Sequence, residues 1–373
     1  MLPAKDHLDA PPFPKLARQM KHGGYMVDLR SDTTTRPTRE MIEAVAKVLA
    51  DDTLADVQLG EDKTVAELEK KAASIIGKED ALFMPSGTMG NLTAAFAHKK
   101  GGFEIILDSH SHMGRTEHGG IGVAASMHSI RIPSQKGEMD LHALQKAVRA
   151  GIKREGMPPA LVCVETSHNH SGGYVPSESY MSDVKKIAHE AGIPVHFDGA
   201  RIFNAAIVLG MPVSKVASYS DSVSFCLSKG LSAPFGAMLA GDKAFIARAR
   251  TFRGVLGGGM RQIGGMAAAA LVALEKMPER LPEDHRRLQA LWNKVREFAP
   301  KLVSEDMPQT NILFLRPRKE TGIAWQNALA EHGLLAVAMG EQKIRLVTHR
   351  HITDKDIDAA AKSIAAVHKK LGD

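Results

Sequence analysis

Short apolar runs alternate with helical patterns between about residues 80 and 240, and this alternation limits the fold more than any other feature of the chain. Strands read at 81–84, 104–107, 129–132, 161–164, 194–197, 222–226 and 236–239. Helices read from about 86 to 98 and around 140–150, 179–191 and 201–209. Short apolar strands separated by helices build a mostly parallel α/β sheet with both faces covered. Ligands of such sheets bind outside the carboxyl ends of the strands. The residues just past each run are therefore the candidates for chemistry.

Two of them stand out. Asp198, in His196-Phe-Asp-Gly-Ala-Arg201, closes one run, and Lys229, in Ser224-Phe-Cys-Leu-Ser-Lys-Gly-Leu231, follows another. An acid and a lysine at two strand ends form a layout that can hold pyridoxal phosphate. The carboxylate keeps the ring nitrogen protonated, and the amine attaches to the aldehyde as a Schiff base. A carboxylate at the end of an apolar run needs a cationic partner. The competing partner in the sequence is Arg201. Pro85-Ser-Gly-Thr-Met-Gly-Asn91 joins a strand to a helix, so Ser86, Gly87 and Thr88 offer free N–H groups and a close backbone approach to one phosphate. The same residues also suit an ordinary helix cap.

Elsewhere, Thr64-Val-Ala-Glu67 reads as a capping box for a helix with Val65, Leu68, Ala72 and Ile75 on one face, ended by Gly77. From about 244 to 275 the pattern is helical. A smaller α+β segment follows, with strands near 311–315 and 343–347 and a helix from 354 to 371. The expected organisation is an arm over 1–26, a large cofactor domain over 27–255 and a small C-terminal domain over 256–373.

Composition narrows the function. The 373 residues are 44% apolar and 24% charged, and the net charge of +6 is spread without a dense basic block. This argues against a nucleic-acid partner. No run has the apolar length of a membrane span. Cys163 and Cys226 lie in apolar runs and read as buried thiols, which suits a reducing cytoplasm. His110 with His112, and His168 with His170, have metal-like spacing but lack a third ligand, so no metal is expected. Gly257-Gly-Gly-Met-Arg-Gln-Ile-Gly264 imitates a dinucleotide loop, but no strand precedes it.

Eight motifs together are more specific: Val27-Asp-Leu-Arg-Ser-Asp-Thr33, Gly60-Glu-Asp62, Pro85 to Asn91, Glu165-Thr-Ser-His-Asn169, Asp198-Gly-Ala-Arg201, Cys226-Leu-Ser-Lys-Gly-Leu231, Gly257-Gly-Gly-Met-Arg-Gln262 and Arg345-Leu-Val-Thr-His349. In this order they resemble the low-specificity L-threonine aldolases, in the β-eliminating-lyase group of fold-type I pyridoxal-phosphate enzymes. The resemblance runs from about residue 27 to the C-terminus. It implies cleavage of β-hydroxy-α-amino acids to glycine and an aldehyde, in a homodimer or homotetramer with shared sites.

By position, the resemblance makes Lys229 the Schiff-base lysine and Asp198 the partner of the ring nitrogen. Gly87 and Thr88, beside Ser86, would hold the phosphate, and Arg261 would reach a neighbouring subunit's phosphate. His112 would stack on the ring. Ser31, Arg201 and Arg345 would bind the substrate carboxylate, and Arg201 would also touch the ring oxygen. His168 would lie near the β-hydroxyl. The base stays open among His168, His112 and a bound water. Where the family usually has tyrosine before Gly60 this chain has Leu59, and Tyr174 stands where arginine is frequent. A bulkier or more apolar β-substituent is the expected consequence. The competing readings are β-elimination, racemisation or decarboxylation with the same cofactor, and a binding protein without turnover.

Overall fold

The computed structural model describes residues 26–50, 55–99, 102–155 and 159–372. The arm expected over 1–26 lies outside them, Met26 apart. Seven strands, β1 (Asp80–Met84), β2 (Glu104–Asp108), β3 (His128–Ile132), β4 (Leu161–Glu165), β5 (Val195–Asp198), β6 (Ser222–Cys226) and β7 (Ala237–Gly241), form the central sheet. Their order is β1-β7-β6-β5-β4-β2-β3. All neighbours are parallel except β7, which runs antiparallel to β1 and β6. The link from β6 to β7 is too short for a crossover helix, so the chain can only return antiparallel. The fold is α/β, as the alternation predicts.

The side-chain period of two divides β5 and β6 into unlike faces. Val195, Phe197, Val223 and Phe225 point to one side and join the main core. His196, Asp198, Ser222 and Ser224 point to the other. The register pairs His196 with Ser222 and Asp198 with Ser224, so these four form one buried polar stripe. Helix Gly87–His98 covers it.

A second core gathers Trp325, Leu288, Leu291, Leu313, Leu346 and Val367 around a three-stranded sheet. Its strands are Ile312–Leu315, Lys343–Val347 in the centre, and Val337–Gly340. Val27 and Leu29 also belong to this core. Val27–Asp28 pairs in parallel with Leu334–Leu335, and Val347 N–H donates to Leu29 O at 2.8 Å. Residues 27–35 are thereby held beside Arg345, more than three hundred positions away in sequence. No described helix is long and apolar enough to cross a membrane.

Several sequence expectations change. The capping residue of helix Lys63–Ile76 is Asp62, whose side chain accepts from Val65 N–H at 3.0 Å. The box at Thr64 is absent because the helix begins one residue before it. Its buried face runs through Val65, Leu68, Ala72 and Ile76, whereas Ile75 is half-buried. The helical stretch near 244–275 is two helices, Lys243–Val255 and Gly264–Lys276. They are separated where Gly257 takes a φ of 81°, a left-handed backbone open to glycine. Gly264–Lys276, assigned with 256–373, has its buried alanines in the first core. Strand Val337–Gly340 was missed because it is half-exposed and lacks alternation.

Candidate active site

The carboxyl ends of β1, β2, β4, β5 and β6 converge. Ser31, His112, Asn169, Arg201, Lys229 and Arg345 line one cavity of about 370 Å³, with Arg30, Thr34 and Met339 among the other residues of its wall. The volume lies in the range of small-molecule sites. A larger surface groove of about 830 Å³ includes Lys136, Asp140, Tyr174 and Gln309 and none of the residues expected to catalyse or to bind cofactor or substrate carboxylate. We place the chemistry in the smaller cavity because the strand ends and titratable groups meet there.

Asp198 is buried at the end of β5. Its carboxylate accepts from Asn91 Nδ2 at 3.0 Å and from Ala200 N–H at 3.2 Å. The competing partner is engaged elsewhere, since Arg201 is bidentate on Asp32, Nε to Oδ2 at 2.8 Å and Nη2 to Oδ1 at 2.7 Å. Asp198 therefore has no ion-pair partner among the described arginines and lysines. That is the position a protonated ring nitrogen would fill.

Gly87 opens the helix after β1. A Cβ there would lie 2.8 Å from Cys226 Sγ, so glycine permits the close approach between the two strand ends. Ser86 caps the helix by accepting from Met89 N–H at 3.1 Å. Ser86 and Thr88 are exposed, and neither lines the cavity. Lys229 follows β6 and reaches the cavity wall, and its carbonyl accepts from Thr35 Oγ1 at 2.8 Å.

Arg345 comes from the central strand of the second sheet. Nη1 donates to Asn169 Oδ1 at 2.9 Å and Nη2 to Arg30 O at 3.3 Å, while Nε is buried with no partner. Burial, then Arg201 beside it, pulls its pKa down to about 10. A guanidinium held this way is short of negative charge, which a substrate carboxylate would supply. Ser31 Oγ lies on the same wall and caps the turn Asp32–Thr34.

Asp32 is fully buried. Desolvation opposes its charge, but the Arg201 ion pair overrides this and holds its pKa well below the carboxylate range. A depressed folded pKa gives stability that is present above the unfolded value near 3.8 and lost as pH falls below it. Asp32→Asn is expected to destabilise the protein by about 3 kcal/mol at neutral pH, because Arg201 is left buried without its counter-charge. Urea unfolding checks this, and the difference should shrink in acid.

His112 lies on the wall with its backbone N–H on Glu165 Oε2 at 2.6 Å and its Nδ1 on Glu117 Oε1 at 2.8 Å. Nε2 is the nitrogen left over. Burial lowers the His112 pKa, but Glu117, Asp198 and Glu165 outweigh it, and the net shift is upward. His168 is not on the cavity wall. It is 0% exposed, its Nδ1 accepts from Ser171 N–H at 3.2 Å, and its Nε2 lies 3.5 Å from Asp108 Oδ1. A Cβ on Gly137 would come within 2.6 Å of the His168 Cβ, so Gly137 seals that side.

Leu59 and Arg261 lie together on another surface. Leu59 is 70% exposed, and Arg261 Nη1 donates to Asp56 Oδ2 at 3.0 Å. Neither lines the cavity of its own chain. Tyr174 belongs to the larger groove, where its hydroxyl donates to Asp306 at 3.0 Å. Asp32 and Asn91 stood inside recognised motifs without an assigned part. Glu117 belonged to none, and nothing in its local sequence marks it.

An open α/β sheet with an acid, a lysine and a histidine at its strand ends fits an enzyme that works with pyridoxal phosphate. The chain belongs to the beta-eliminating lyase family, whose model matches residues 28–318. It is 41% identical over 337 residues to low-specificity L-threonine aldolase 1 of Arabidopsis thaliana, an alignment covering 89% of this chain and 93% of the relative. It is 36% identical over 341 residues to the low specificity L-threonine aldolase of Escherichia coli K12, covering 90% and 97%. The fold is also that of a threonine aldolase from Leishmania major, with a TM-score of 0.77 at 18% identity, covering 94% of this chain and 100% of the other.

Proposed function

We propose that this enzyme cleaves the Cα–Cβ bond of β-hydroxy-α-amino acids of the L-threonine or L-allo-threonine type, giving glycine and an aldehyde. The observation that carries this reading is Arg345, a half-buried cation with an unpartnered Nε on the same wall as Lys229. The names of the relatives agree with it. Pyridoxal phosphate, when bound, withdraws electrons from Cα and so makes the bond breakable.

The chain's own residues do the rest. Lys229 Nζ would hold the cofactor, Asp198 would face its ring nitrogen, and the turn from Ser86 to Thr88 would receive its phosphate. Arg345, with Ser31 and the free edge of Arg201, would hold the substrate carboxylate. A carboxylate gripped at one end fixes rotation about the bond from Cα, so the Cα–Cβ bond can be set across the ring plane. His112 Nε2 would take the β-hydroxyl proton as that bond breaks and the aldehyde carbonyl forms. His168, sealed behind Gly137, would steady the floor through Asp108.

Because the His112 pKa is raised, its neutral form accumulates only above the ordinary histidine value near 6.5. Cleavage is therefore expected to rise with pH through that shifted midpoint, tenfold per pH unit on its acid side. A rate profile flat between roughly pH 6 and 9 would count against His112 as the base.

Exposure of Ser86, Thr88, Leu59 and Arg261 supports a homodimer or homotetramer in which a second copy brings Leu59 and Arg261 to the cofactor's phosphate side. Two buried free thiols, Cys163 and Cys226, support a cytoplasmic enzyme. Product analysis tests the whole reading. Purified enzyme with threonine and with phenylserine should yield glycine and the matching aldehyde. Pyruvate, carbon dioxide or an inverted amino acid would replace this reading with one of its rivals.

A further inference from the structure

Asp198 apart, the buried polar stripe of β5 and β6 has no part in the chemistry assigned so far. Asn91 is 2% exposed and meets that stripe from helix Gly87–His98, the same helix whose first turn would receive the phosphate. Its Nδ2 lies 3.0 Å from Asp198 Oδ2 and 2.8 Å from Glu117 Oε1. Its Oδ1 lies 3.3 Å from His196 Nε2 and within hydrogen-bond reach of Ser224 Oγ.

Donor and acceptor rules orient the whole array. Carboxylate oxygens accept, so the Asn91 amine must face Asp198 and Glu117. Its carbonyl then receives Ser224 Oγ–H and His196 Nε2–H. Burial keeps His196 neutral, with a pKa driven down to about 4, so its Nδ1 is bare. Nδ1 accepts from Ser222 Oγ–H at 2.8 Å, and Ser222 Oγ in turn accepts from His98 Nε2–H at 2.7 Å. From the other side, His112 Nδ1–H donates to Glu117 at 2.8 Å. Every donor in this array points toward the two acids, and Asn91 hydrogen-bonds both of them.

We propose that Asn91 is a positioning residue: its carboxamide fixes the Asp198 carboxylate toward the cofactor's ring nitrogen and fixes Glu117, and through it His112, so that His112 Nε2 is left to the substrate. This inference rests on the cofactor seat described above. An asparagine whose four partners sit on two strands and on the loop that follows Arg115 cannot rotate, so neither carboxylate can turn independently of the other. Outer-shell partners of this kind set the basicity of the group they hold.

Asn91→Ala tests it on the cofactor-loaded enzyme. The variant is expected to retain the visible cofactor band and to lose roughly 10- to 100-fold in kcat, by analogy with outer-shell partners of metal ligands. KM should change less than about threefold. The NMR shift of a labelled cofactor ring nitrogen should move toward that of neutral pyridine. Ser224→Ala, which removes one donor to Asn91, should move the shift in the same direction by less, and it decides the matter if Asn91→Ala does not fold. A coloured variant with the wild-type ring-nitrogen shift and nearly wild-type kcat overturns the role of Asn91 alone. A wild-type chain that takes up no coloured cofactor overturns the seat itself, and this inference with it.

Discussion

Lys229→Ala should give a folded but colourless protein after incubation with pyridoxal phosphate, with glycine release reduced on the order of 10⁴-fold or more. The size of the effect follows from the absence of a substitute. Among the described residues no other lysine lines the cavity, so no second amine is placed to attach the cofactor beside Asp198. The fold should survive because the Lys229 side chain is only half-buried and its ammonium is in no hydrogen bond or ion pair among the described residues. The Lys229 carbonyl, which accepts from Thr35 Oγ1 and Ser232 N–H, is untouched by the substitution. Absorbance spectra and melting curves of both proteins make the comparison. A variant that keeps the visible band and turns over substrate would remove Lys229 from the mechanism.

Arg345→Leu is expected to lower kcat/KM by about 1,000-fold, near 4 kcal/mol at 1.4 kcal/mol per factor of ten. Leucine fills part of the space but brings no charge, and the substrate carboxylate would then face a wall of lower potential. Both constants should suffer. KM rises because the grip is lost, and kcat falls because rotation at Cα is no longer fixed. Arg345→Lys should recover only part of the loss, since an ammonium restores charge without the planar fork. Cofactor uptake should be unchanged in both variants, because Arg345 stands on the second sheet and Asp198 and Lys229 on the first. Steady-state kinetics with threonine would decide it. A leucine variant within tenfold of wild type would place the carboxylate elsewhere.

The parts of the site readable in the sequence share one property: local pattern is enough to find them. Asp198 and Lys229 each end an apolar strand, and Gly87 sits in a strand-to-helix turn, so position along the chain already implies a place at the sheet's edge. Arg201 is the instructive contrast. Its nearest acid in sequence is Asp198, yet its guanidinium lies on Asp32, 169 residues away. No spacing rule anticipates that pair, because it depends on residues 27–35 being carried across to the second sheet by Val27–Asp28 pairing with Leu334–Leu335. The histidines show the same limit. The sequence reading favoured His168 over His112 or a bound water as the base, and burial places the two differently: His112 faces the cavity, whereas His168 is closed off behind Gly137.

Short apolar runs alternating with helical patterns were enough to place an acid and a lysine at the rim of an α/β sheet, whereas the split of Val195–Asp198 and Ser222–Cys226 into an apolar and a polar face emerged from their register. Which groups would meet that polar face was settled by packing. Asn91 reaches Asp198, and Glu117 reaches Asn91, because one helix lies across the stripe and a loop folds over its end. The reason is physical: strand and helix periods act over a few residues, whereas the partner of a buried polar group is whichever donor the folded chain brings within about 3 Å of it.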